Sequence, residues 1–123
     1  LHTSVFLPER VKVFEMREIS KDNPALTGKL MVNTNAIGAA LAKRLGSDSA
    51  ILLRSHGNVV VGESLPWAIF IAVYMQQNAK TQMEAHMIGK NPIYLDKSEI
   101  ELGRKEQFPE RAWENFKARL PKQ

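Results

Sequence analysis

Three histidines, His2, His56 and His86, are the side chains of this cysteine-free sequence best suited to hold a metal or move a proton near neutral pH. His56 has the most defined setting. It stands between the apolar runs Ile51 to Leu53 and Val59 to Val61, which read as buried strands. Ser55, Gly57 and Asn58 supply a reversal between the runs, which places His56 at a hairpin tip. Gly57 removes a Cβ next to the imidazole, so a ligand can approach closely and the turn can take positive φ. A lone histidine at such a corner is either a metal ligand or a solvated turn residue, and spacing alone leaves both open. The sequence has no H-x-H, no H-E-x-x-H and no cysteine pair, so no local motif completes a zinc site. His86 lies near the end of a long helix and reads as structural. Nucleotide-binding glycine loops and the G-x-S-x-G elbow are absent.

The elements that must position His56 follow from periodicity. Residues 11 to 16 largely alternate apolar and charged side chains, which predicts a strand with one buried face. Ser20 to Gly28 reads as a loop, and Leu1 to Pro8 as an edge strand or lead-in loop. Between Met31 and Gly46 an amphipathic helix is expected, with Asn33 as N-cap, Ile37, Leu41 and Leu45 on one face, Lys43 and Arg44 in the last turn, and Gly46 as the stop. Ser64 and Pro66 open the longest helix, from Leu65 to about Ile88. Its half from Trp67 to Met75 is apolar all round and should be covered all round; further on, Ala79, Met83 and Met87 form one stripe. Met75, Met83 and Met87 read as gap-filling core. Asp96 and Glu99 have capping-box spacing and begin a short helix to about Gln107; Pro109 starts another, about Glu110 to Leu120, with Trp113 and Phe116 as its ridge.

Composition bounds the rest. The 123 residues, 44% of them hydrophobic, suffice for one modest core, so one domain or part of one is expected. Basic residues exceed acidic ones to give a net charge of +4, but they are interleaved with acids as on solvated helix faces, which argues against nucleic acid as a partner. The most apolar stretch, Leu65 to Met75, falls short of the roughly 20 residues of a membrane span. Absence of cysteine suits a reducing, cytoplasmic setting. The chain begins at Leu1 and reads as a processed or truncated product.

The run from Ala50 to Ala68, with its R-x-H-G at Arg54 to Gly57 and its G-x-S-L-x-x-A at Gly62 to Ala68, followed by a long helix carrying Gln77 and Gln82, resembles the class II aldolase/adducin family. The resemblance extends to His2, Phe6 and residues 11 to 15 on one side. On the other it takes in residues 91 to 102 and Arg111 to Glu114, as in the decarboxylase-like members. It implies an α+β fold, three layers of α/β/α around a mainly antiparallel sheet, of which residues 1–123 are the C-terminal half. It also implies a divalent metal, zinc or manganese, held by three histidines, of which His56 matches the third. The other two, in an H-x-H, belong to the family's N-terminal half and are not in this sequence. Such a site polarises a substrate carbonyl and stabilises the enolate formed on C–C cleavage or decarboxylation. Sugar-phosphate epimerases and aldolases of the family carry an acid or a tyrosine where Ser4 and Thr3 stand here, which favours the decarboxylase-like branch, with His2 as a catalytic group near the metal. The expectation is thus part of a metal-dependent lyase acting on a hydroxy- or oxo-carboxylate or sugar-like substrate. The partners expected are the missing half and further copies, as a homo-oligomer, typically a tetramer. The alternative is a non-catalytic, adducin-like interaction module.

Overall fold

The computed structural model describes residues 2–22, 24–28, 30–89, 91–106 and 108–121, with the backbone alone at 2, 22 and 25. They form two compact units, one of residues 8–60 and one of residues 1–7 with 61–123.

In the first unit, β1 (Lys12–Phe14), β2 (Ala50–Leu53) and β3 (Gly57–Val60) make a sheet in the order β1-β2-β3. β1 runs parallel to β2, pairing Lys12 with Ile51 and Phe14 with Leu53, while β2 and β3 are antiparallel, pairing Ala50 with Val60 and Leu53 with Gly57. The expected α+β class is what forms, with a sheet of mixed direction. A parallel pair needs a long crossover, and here α1 (Met16–Asp22), a 3-10 turn at Pro24–Leu26 and α2 (Asn35–Leu45) supply it. α1 and this turn occupy much of the stretch expected to be a loop; Glu15 starts the helix, its carbonyl accepting from Glu18 N–H and its carboxylate from Arg17 N–H. Thr34, rather than Asn33, caps α2: its hydroxyl accepts from Ile37 N–H at 3.3 Å. Gly46 ends the helix at φ 64°, as expected of a C-terminal glycine.

The core of this unit joins Phe14, Met16, Leu26, Ile37, Leu45 and Ile51, with Ile19, Leu41, Leu53 and Val59 against it. β1 does bury one face, but that face carries Lys12 and Phe14, whereas Val13 is 44% exposed. Lys12 is tolerated there because its aliphatic stem stays inside while its ammonium reaches Leu45 O at 3.2 Å and Asp48 Oδ2 at 2.8 Å. A cation at the last carbonyls of α2 complements the helix dipole, so the lysine both packs and caps. β3 is less buried than the sequence predicts: Gly57 and Asn58 are exposed and Val59 and Val60 only half-buried.

The second unit is helical. A 3-10 turn at His2–Ser4 replaces the expected edge strand or loop and leads to buried Val5. Ser64 caps α3 (Leu65–Met87), its hydroxyl accepting from Trp67 N–H at 3.4 Å, with Pro66 in the first turn. Gly62 is required by the same start, because a Cβ there would sit 2.7 Å from Ala68 N. Phe70, Ile71 and Met75 are buried, and Phe70 is ringed by Phe6, Trp67 and Tyr74 at centroid distances of 5.2, 5.6 and 4.6 Å. The rest of 67–75 is half-buried rather than covered all round. Met83 and Met87 are 59% and 78% exposed, so of the three methionines expected in the core only Met75 is there.

Asp96 and Glu99 form the expected capping box at the start of α4 (Lys97–Lys105), with Asp96 Oδ1 accepting from Glu99 N–H at 2.9 Å and Glu99 Oε2 from Asp96 N–H at 2.8 Å. Gln107, where that helix was expected to end, lies outside the described residues. α5 (Pro109–Ala118) lays half-buried Phe116 against Tyr74, ring centroids 6.4 Å apart. Arg104 Nε donates to Val5 O at 2.6 Å and Gly103 packs on the Val5 side chain, so α4 holds the segment after His2. No helix among the described residues is long and apolar enough to cross a membrane.

Candidate functional site

The turn that presents His56 joins β2 to β3. His56 N–H donates to Leu53 O at 3.0 Å, which closes a four-residue turn with Arg54 and Ser55 at its centre. The reversal therefore lies one or two residues earlier than Ser55, Gly57 and Asn58 suggested. Ser55 has φ 67°, a left-handed conformation that glycine or asparagine adopts more readily, and Gly57 follows at φ 132°. Two unusual conformations flank His56 and aim it outward; its side chain is exposed. Apart from its two chain neighbours, a Cβ on Gly57 would meet no described atom within 4 Å, so the turn is open to solvent on that side.

An ionic network lies at the base of this turn. Arg54 Nε donates to Glu15 Oε2 at 2.6 Å, Arg54 Nη1 to Ser55 Oγ at 3.2 Å, and Arg54 N–H to Phe14 O at 3.2 Å. Glu15 also accepts from Arg17 Nη2 at 2.7 Å and from Arg17 N–H at 3.1 Å. These bonds to Arg17, with Arg54 adding its charge, hold the Glu15 carboxyl below its ordinary range. In the sequence Arg54 stands out only as part of R-x-H-G and Glu15 only as the end of the segment 11 to 15, neither of them as a site residue. Beside the network, between α1 and α2, a depression of about 520 Å³ is lined by Glu15, Glu18, Lys43 and Arg44 over Phe14 and Ile19; His56 is not among its walls.

His86 is exposed near the end of α3. His2 opens the first 3-10 turn, but its side chain lies outside the described residues. Its neighbour Thr3 is buried, with a hydroxyl that has no hydrogen-bond partner among the described residues. Among the described residues no group of three or more His, Asp or Glu side chains is placed to share a metal. His56 presents an exposed imidazole on a fixed turn, and the described residues do not close a metal site around it.

Residues 7–83, more than half of the chain and including the whole His56 turn, match the family described as class II aldolase and adducin N-terminal domain. The chain belongs to the class II aldolase/adducin family. Among curated proteins it is similar to Decarboxylase tropJ of Talaromyces stipitatus, 30% identical over 90 residues, covering 67% of this chain and 33% of that protein. It thus spans about a third of the length of the relative it matches. The family's G-x-S-L-x-x-A pattern has a physical account here: Gly62 lets the chain touch the Ala68 backbone, and Ser64 caps the helix that follows.

Proposed function

We propose that this chain is part of a divalent-metal-dependent lyase of decarboxylase or aldolase type, with His56 as one metal ligand. Family membership and the likeness to a decarboxylase support the reaction class. The observation that carries the ligand assignment is the turn itself: an exposed imidazole, fenced by Ser55 at φ 67° and Gly57 at φ 132°, open to approach and braced from below. Zinc or manganese suits a histidine-rich family site, and its remaining ligands come from residues beyond this chain. When bound, such an ion acts as a Lewis acid toward a carbonyl or carboxylate oxygen of a hydroxy- or oxo-carboxylate or sugar-like substrate. His2 is assigned to substrate contact or proton transfer beside it.

Residues 1–123 are read as the C-terminal portion of the catalytic domain, in a homo-oligomer or together with its other half. Two observations support association: β1 and β3 each have an unpaired edge among the described strands, and Met87, Ile88 and Ile93 are 78%, 78% and 102% exposed. The cytoplasm is the compartment we assign, on the cysteine-free composition.

The test is metal content of the complete protein, wild type against His56→Ala, measured by plasma emission spectroscopy. Loss of the ion with retained circular dichroism is expected, because an exposed tip contributes little to the core. Equal content in the two proteins would overturn the ligand assignment and favour the adducin-like module.

A further inference from the structure

The geometry points to Glu15 and Arg54 as positioning residues for His56, the carboxylate acting as anchor and the guanidinium as the arm that holds the turn. This inference rests on the ligand role proposed for His56.

Glu15 is itself immobilised before Arg54 reaches it. One carboxylate oxygen accepts the Arg17 amide in the first turn of α1, and the other takes the Arg17 guanidinium. Its side chain is only 17% exposed, on the last residue before α1 and directly after β1. Arg54, directly after β2, lies beside it because β1 and β2 are parallel and in register from Lys12 with Ile51 to Phe14 with Leu53. The planar guanidinium then spans two partners, Glu15 Oε2 on one side and Ser55 Oγ on the other. Ser55 is the one described non-glycine residue with positive φ, and the next residue is His56. A chain of contacts therefore runs from α1 through Glu15 and Arg54 to the strained residue that sets the direction of the imidazole.

Magnitude decides how this network acts. An ion pair whose arginine is 40% exposed adds little to global stability. Its effect is local, on a turn whose own conformation is unfavourable and which keeps its shape only where neighbours over-determine it. Groups that orient a metal ligand commonly carry a tenfold to hundredfold effect on metal affinity without being ligands.

The experiment uses the complete protein with Glu15→Gln, which keeps the side chain's shape, and Arg54→Lys, which keeps the charge but cannot span both partners. Amide hydrogen exchange is read in the metal-free protein, and zinc affinity by competition with a chromophoric chelator. Both variants are expected to speed exchange of the Arg54 and His56 amides severalfold, leave α2 amides and the urea midpoint unchanged, and weaken zinc binding by roughly tenfold or more. Unchanged exchange at 54 and 56 in Glu15→Gln overturns the positioning role, whatever the zinc result. So does a uniform rise across α2 with a lowered urea midpoint, which marks a merely structural residue. If His56→Ala keeps its zinc, the ligand reading fails separately, and the exchange measurement still reports whether Glu15 holds the turn.

Discussion

Gly57→Ala separates backbone strain from steric crowding at the His56 turn, because the added Cβ has open space around it. Apart from the two chain neighbours, no described atom lies within 4 Å of that position, so no packing penalty arises in the folded state. What remains is φ 132°, a conformation that costs an L-residue about 1–3 kcal/mol. Against this, alanine narrows the unfolded ensemble and returns about 0.4–1 kcal/mol. The net expectation is a loss of roughly 1–2 kcal/mol, a shift of about 5- to 30-fold in the unfolding equilibrium. Urea titration followed by circular dichroism reads it as a lowered midpoint with unchanged slope. Placing D-alanine at the same position by protein ligation sharpens the test, since a D-residue favours positive φ and adds the same methyl group. The protein carrying the D-enantiomer should keep wild-type stability or exceed it by up to about 1 kcal/mol, and the one carrying the L-enantiomer should lose stability. Equal midpoints for L-alanine and wild type would show that the position is not strained. Equal losses for both enantiomers would place the cost in the methyl group and refute the argument from φ.

Two further glycine substitutions should move in opposite directions. Gly38→Ala, inside α2 with nothing within 4 Å of the new Cβ, should stabilise by about 0.5–1 kcal/mol; Gly103→Ala, whose Cβ would lie 2.8 Å from Val5 Cγ1, should forfeit that helix gain to overpacking of about 1–3 kcal/mol, both read by thermal unfolding. Asp96 is held below its ordinary carboxyl value, first by the Ser98 hydroxyl and then by the Glu99 amide. Its contribution to the α4 cap should be complete above about pH 4 and fade as pH falls through the lowered native value. Amide shifts of α4 followed from pH 5 to pH 2 should show this loss, and Asp96→Asn, which caps without titrating, should not.

Local patterns were legible in the sequence wherever one short segment decides its own conformation. Ser64 with Pro66, Asp96 with Glu99, and Gly46 each mark a helix end that forms where expected, because a capping group and the amides or carbonyls it serves lie within a few residues. The apolar runs at 51–53 and 59–61 likewise located the hairpin and put His56 at its tip, one residue from the centre of the turn. Misreadings arose where distant chain segments set the outcome. Lys12 faces inward because α2 ends beside it, 33 residues away, and offers Leu45 O and Asp48 to its ammonium; no window around residue 12 contains that information. Met83 and Met87 carry the same apolar character as Met75, yet they are 59% and 78% exposed where Met75 is buried.

The Glu15 network combines both cases. A glutamate two residues before Arg17 looks like an ordinary solvated charge, and an arginine two residues before His56 looks like part of a polar corner. They meet only because β1 pairs parallel to β2, across a crossover of more than thirty residues that ends both strands at the same level. An antiparallel pairing of these strands would bring the start of one beside the end of the other and separate Glu15 from Arg54. The parallel crossover is therefore the feature through which the rest of this unit acts on the His56 turn, and the arginine of R-x-H-G gains a physical role from it: it reaches back to the preceding strand's end and braces the residue whose φ aims the histidine.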